Sequence, residues 1–209
     1  MTEKPILFSG PMVRAILDGP KTQTRRVLKS VGDLDRVFQM GDGSWHVTDS
    51  QGGHMSPVTI PYAVGDRLWV REAWRSVTGY DDRAPRDIPD GTPVHFEADA
   101  QADAGWKWGR RRPSMFMCRW MSRISIEVTA VKVERLQDIS EDDAKAEGAP
   151  DDTEGCDHPR RTCQEAGCIG RYWKHHRAGF AQIWFDINGA ESWRANPWVA
   201  AYTFKRVTP

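Results

Sequence analysis

The chain reads as an α+β protein, a small mixed β-barrel with helices at its rim. Two observations carry this reading: strand patterns outnumber helical ones, and the strands do not alternate with helices as βαβ units require. A third concerns size. At 209 residues there is room for one domain with a real core, or for one domain plus an insertion.

Ile6-Leu7-Phe8 reads as a short strand. Ser9-Gly10-Pro11 then starts a helix with proline in its first turn, carried by Met12, Val13, Ala15, Ile16 and Leu17 and stopped at Gly19. Residues 30–57, rich in Gly, Asp and Ser, read as a loop or loose hairpin. Val64-Gly65-Asp66 marks a turn before a strand from Arg67 to Trp74, with Leu68, Val70 and Glu72 on one face and Trp69 and Arg71 on the other. Residues 78–93 read as a loop, and Val94–Ala98 as a strand. From Arg123 to Leu136, Ile124, Ile126, Val128 and Ala130 alternate with polar neighbours, and a bulge or bend then swaps faces. Ser140 caps a helix with acids in its first turn, closed by Gly148. Tyr172 to Ile187 has helical spacing and stops at Asn188-Gly189, and Trp198 to Val207 is a last strand. The organisation expected is a main barrel over 1–148, a Cys/His insertion over 149–170, and a C-terminal helix with the final barrel strand over 171–209.

The balance of 29 basic and 29 acidic residues excludes a histone-like polycation, and ten tryptophans argue for a folded core. With no signal-peptide pattern and no apolar run near membrane-spanning length, a soluble cytoplasmic protein without a membrane partner is expected.

Three segments carry chemistry. From Gly19 to Ser30 there is no acid, while Lys21, Arg25, Arg26 and Lys29 are cationic and Thr24 sets a hydroxyl among them. That local charge calls for an anion. Residues 105–123 hold six cations, four aromatics and no acid. There Trp106 and Trp108 are placed to stack on bases and Arg110, Arg111 and Arg112 to hold phosphates, whereas Phe116 and Trp120 read as core. The third is Cys156-x-His158-x4-Cys163-x4-Cys168, whose three thiolates and one imidazole suit a structural zinc in an insertion with little apolar content. Free thiols in a flexible insertion, or a disulfide formed on oxidation, are the competing readings. His175 and His176 are weaker ligand candidates, and Cys118 reads as a core cysteine.

Gly19-x-Lys21-x-x-Thr24-x-Arg26 resembles the GxKxxExR signature of ASCH domains, members of the PUA-like β-barrel superfamily, with Thr24 where the commonest form has glutamate. Val64–Glu72, Arg123–Val128 and Asn196-Pro197-Trp198 are similar to stretches of bacteriophage and prophage ASCH-like proteins. The lysine–threonine form resembles small bacterial amidohydrolases that remove acetyl from acetylated cytidine. That resemblance implies a cleft for RNA, single-stranded nucleic acid or a modified nucleoside, with Lys21, Thr24 and Glu72 catalytic and Arg25 and Arg26 binding substrate. In such a hydrolase Thr24 attacks the acyl carbonyl of an N-acylated cytosine, and Lys21 takes its proton. Lys21 must then be neutral, well below its ordinary pKa of about 10.4. Glu72 orients the lysine or carries a proton to the leaving amine. Without catalysis the same residues make a nucleic-acid-binding module, or the cleft serves a nuclease. The plainest reading is a capped turn, with Thr24 bonding backbone and Arg26 bridged to Glu72.

Overall fold

The computed structural model describes residues 3–29, 31, 36–48, 53, 55–101, 104–151 and 176–207. Among them the chain is mixed α+β. Its elements are β1 (Lys4–Leu7), α1 (Gly10–Leu17), β2 (Gln23–Val27), β3 (Arg36–Gln39), β4 (Trp45–Thr48), β5 (Met55–Pro57), β6 (Arg67–Arg71), β7 (Trp74–Ser76), β8 (Val94–Phe96), β9 (Ser125–Arg135), α2 (Glu141–Ala146), α3 (His176–Asn188), α4 (Ala190–Arg194) and β10 (Trp198–Val207). The described sheets do not close into a barrel. No described helix is long and apolar enough to cross a membrane. The chain separates into two compact units, Met1–Gly19 with Val64–Thr129 and Phe204–Pro209, and Pro20–Ala63 with Ala130–Thr203. This division cuts across the sequence-based segments 1–148 and 171–209.

In the first unit β1 runs parallel to β6, with Ile6 opposite Val70, and β6 runs antiparallel to β9, with Leu68 opposite Ile126. A strand flanked on both sides can bury both faces. Leu68, Trp69 and Val70 are all buried, and on the face of Trp69 the Arg71 guanidinium lies 4.5 Å from the ring centre. The run expected to continue to Trp74 breaks after Arg71, and β7 pairs with β8 instead, Trp74 opposite Phe96. A second cluster gathers Trp74, Ile88, Met117 and Met121, with Trp120 packed against it.

In the second unit β2 pairs antiparallel with β10, Thr24 facing Tyr202 and Arg25 facing Ala201. Val199, Ala200, Ala201 and Tyr202 are buried in succession, as in a strand covered on both faces. The core here joins Leu136 and Ile139 to Ala144 of α2, Phe180, Ala181 and Trp184 of α3, and Trp193 of α4. Gly179 permits the close approach of α3: a Cβ there would lie 2.3 Å from the Pro150 carbonyl oxygen. Within the segment 30–57, read from composition as loop or loose hairpin, β3, β4 and β5 form a three-stranded antiparallel sheet. Its strands are only three or four residues long, too short for a period-two signal to develop, and Val47 is the one residue of β4 that is buried.

The N-cap of α2 forms as its sequence dictates, the Ser140 hydroxyl accepting from the Asp143 amide at 3.0 Å, with acids filling the first turn. Replacing Ser140 with alanine should lower unfolding free energy by about 1 kcal/mol in a urea titration, with m unchanged.

Candidate functional site

The chain leaves α1 through Gly19, whose φ of +98° suits a residue without a Cβ. Lys21 then precedes β2, and the Thr22 amide donates to the Ala146 carbonyl at 2.7 Å, fastening the start of β2 to the end of α2. Around this junction the second unit buries a charge cluster. Lys21 Nζ donates to the Gln23 carbonyl at 2.9 Å, the Glu147 carbonyl at 2.8 Å and Glu147 Oε2 at 2.6 Å. Arg25 spends its whole guanidinium. Nε and Nη2 donate to Glu134 Oε1 at 3.1 and 2.6 Å, and Nη1 donates to Gln23 Oε1 at 2.6 Å and Glu147 Oε1 at 3.2 Å. Asp143 Oδ2 lies 3.3 Å from Arg25 Nη2, and Lys132 Nζ lies 2.6 Å from Glu134 Oε2. The Arg25 guanidinium also lies 5.7 Å from the centre of the Phe180 ring.

Lys21, Arg25, Glu134 and Glu147 thus neutralise one another away from water, with half-buried Asp143 and exposed Lys132 at the rim of the cluster. Burial pushes the Lys21 amine below its ordinary value, and the Glu147 carboxylate pushes back. Three acceptors around Nζ suit the ammonium form, which has three protons to donate. Asp143 is held low although burial raises it, because the Gln23 amide and Arg25 outweigh that effect. Burial lowers Arg26, with Tyr62 and Glu147 opposing, and raises the Tyr202 hydroxyl to about 12. Thr24 is buried in the same strand, and its side chain makes no hydrogen bond among the described residues.

Glu72 lies in the other unit from Lys21 and Thr24. It is buried against Arg123, whose Nε and Nη2 reach Oε1 and Oε2 at 2.9 and 3.0 Å. Arg123 in turn pairs with Asp99 at 2.8 Å and sits 4.0 Å from the Phe96 ring centre. Burial raises the Glu72 pKa, and Arg123 restrains it. The carboxylate that binds Lys21 is therefore Glu147. Sequence reasoning missed Glu147, Glu134 and Asp143, and took the last only as a first-turn acid. A faint signal for Glu134 existed: it is the acid nearest the end of the strongest apolar strand.

The second concentration of cations lies in the first unit. Residues 107–112 are laced to 74–78: Trp74 and Arg112 exchange backbone bonds at 3.1 and 2.8 Å, Gly109 N donates to Ser76 O at 2.8 Å, and Thr78 N donates to Lys107 O at 3.0 Å. Asp81 Oδ1 accepts from the Arg110 amide at 2.9 Å. The result is an open cleft of about 410 Å³ whose lining includes Asp82, Arg83, Arg110, Arg111, Arg112 and Phe116. Arg110 and Arg111 are exposed, while Arg112 is buried, with Nη2 donating to the Tyr80 and Asp81 carbonyls at 2.7 and 3.1 Å. Trp106 is exposed, and Trp108 is half-buried beside His95. Phe116, expected in the core, is 54% exposed: it closes the turn Ser114–Phe116, and the next residue, Met117, takes the inward place.

Cys156, His158, Cys163, Cys168 and His175 lie outside the described residues. His176 Nδ1 is 2.8 Å from the Ala149 carbonyl oxygen, and Cys118 is a half-buried free thiol. Among the described residues no group of three or more His, Cys, Asp or Glu could hold a metal ion. No family profile, curated protein or solved structure matches the chain significantly.

Removing one member of a buried ion cluster strands its partners, at about 3–5 kcal/mol. Glu147→Ala should show a loss of that size in urea unfolding followed by tryptophan fluorescence. A loss below about 1 kcal/mol would mean that the cluster behaves as a solvated surface pair.

Proposed function

We propose that the chain binds RNA or another single-stranded nucleic acid through the arginine-lined cleft and its aromatic neighbours. One observation supports this above the rest: in a chain with no net charge, four arginines line one open cleft with Asp82, and only Asp81, bonded to the Arg110 amide, adds a further acid beside them. Guanidinium forks match phosphate oxygens, and exposed aromatic rings such as Phe116 and Trp106 accept bases by stacking without demanding a sequence. The finer family assignment, an ASCH-type domain, is carried by the motif order alone and agrees with a nucleic-acid partner. The test is fluorescence anisotropy with labelled single-stranded RNA and DNA over a salt series. Affinity should fall with salt at a log–log slope of roughly −0.7 per phosphate neutralised. The Arg110→Ala/Arg111→Ala double variant should bind more weakly, with a shallower slope. Absence of binding at low salt would overturn the reading.

A second reading, hydrolysis of an N-acyl group from cytosine, is favoured by the Thr24 hydroxyl, which lacks a partner within a strand that also carries Arg25 and Arg26. In this reading Thr24 attacks the acyl carbonyl, and Lys21, having given one proton to Glu147 or to solvent, takes the hydroxyl proton. It passes that proton to the cytosine amine as the amide C–N bond breaks, and water then hydrolyses the threonyl ester to free the acid. The geometry favours it less, because Lys21 already donates to three acceptors. Mass spectrometry after incubation with N4-acetylcytidine should show cytidine and acetate from the native chain and none from Thr24→Ala. Intact substrate with the native chain removes this reading and leaves the first untouched.

A further inference from the structure

We infer that the arginine cleft is a site for one terminal phosphate monoester with its attached nucleoside, the base lying on Phe116. This rests on the nucleic-acid reading above and narrows it. Its ligand is a mononucleotide unit, supplied either by a free nucleoside monophosphate or by the phosphorylated end of a strand.

The floor of the cleft is Arg112, a residue only 5% exposed. Its place is set by the paired backbone bonds to Trp74, by the two carbonyls that hold Nη2, and by the Trp74 ring, 5.4 Å from the guanidinium carbon. Yet its Nε–H is buried with no acceptor, and Nη1 makes no hydrogen bond among the described residues. That Nε–H is closed off from solvent as well as unpaired, so the donors this guanidinium can offer a ligand are those of Nη1. Phosphate oxygens accept such charge-assisted bonds, and the exposed Arg110 and Arg111 add donors beside it.

Charge and size narrow the ligand further. Arg83, Arg110, Arg111 and Arg112 line the cleft with Asp82, and Asp81, whose Oδ1 accepts from the Arg110 amide, stands beside it, which leaves two cations in surplus. Arg111 has only a loose competing partner, Glu97 at 3.7 Å. An internal phosphodiester brings one negative charge, whereas a monoester brings about 1.5 to 2 at neutral pH. The surplus of cations fits the monoester better. A volume of about 410 Å³ lies at the low end for small-molecule clefts, suited to one nucleotide rather than a stacked run. The exposed Phe116 ring at the wall offers the base a stacking surface, worth about 1–3 kcal/mol per base by alanine substitution.

Isothermal titration of the full chain with cytidine monophosphate, cytidine and inorganic phosphate tests the site directly. A parallel anisotropy series uses one oligonucleotide sequence carrying a 5′ phosphate, a 3′ phosphate or neither. The monophosphate should bind at least about tenfold more tightly than either fragment, and Phe116→Ala should cost about tenfold on the monophosphate while sparing inorganic phosphate. Phe116 is exposed, so this variant should keep its fold, which circular dichroism checks. A preference of the same order for one phosphorylated end identifies the strand as the source. Monophosphate binding without oligonucleotide binding keeps this inference for free nucleotides and removes the nucleic-acid reading. Equal affinity for phosphorylated and unphosphorylated strands, with no monophosphate binding, overturns the inference and leaves that reading standing. Inorganic phosphate binding as tightly as the monophosphate also overturns it.

Discussion

Burial of Arg25 is the constraint on which the second unit is organised. A guanidinium with no exposed surface must find acceptors for its donors and carboxylates for its charge, or unfolding is favoured. β2 supplies the arginine, β9 supplies Glu134, and α2 with the residue after it supplies Asp143 and Glu147. Lys21 completes the balance by binding both the backbone and the side chain of Glu147. These elements are far apart in sequence, so forming the cluster fixes which strand and helix ends meet. The apolar cluster around Phe180 and Trp184 adds area, and Phe180 itself faces the guanidinium.

The two cationic segments of the chain therefore have opposite fates. Around Lys21 and Arg25 the positive charge is met internally by three acids. Around Arg110, Arg111 and Arg112 part of it is left facing an open cleft, because the neighbouring 78–87 turns hold Arg112 by carbonyl oxygens and set only Asp81 and Asp82 against four arginines. Arg112 bridges the two behaviours, anchored on one side by carbonyls and unsatisfied on the other. A long-range charge census, more than local charge density, separates an internal strut from a surface that seeks an anion.

Much of the framework was legible from residues alone. Ser140 with its first-turn acids, the stop at Asn188-Gly189 and the strand from Trp198 to Val207 all depend on local chemistry, and all form where the local pattern puts them. Errors arose where local pattern is mute. The strands β3, β4 and β5 are three or four residues long, too short for an alternation to stand out from the loops around them. Phe116 looked like core because its side chain is apolar, but a short turn passes the inward position to Met117. Glu147 was invisible as the partner of Lys21, since nothing local distinguishes it from other acids near a helix end.

From residue types and spacing alone came the mixed α+β class, the concentration of cations at 19–30 and 105–123, and the prominence of Lys21 and Thr24. Those follow from periodicity, capping and charge counting, which act over a few residues. The tertiary structure decided which of those cations are spent. It gave Lys21 to Glu147 and Glu72 to Arg123, and left the arginine cleft open with an unpaired donor at its floor. The physical reason is that a buried charge chooses its partner by distance in space, and the sequence does not state that distance.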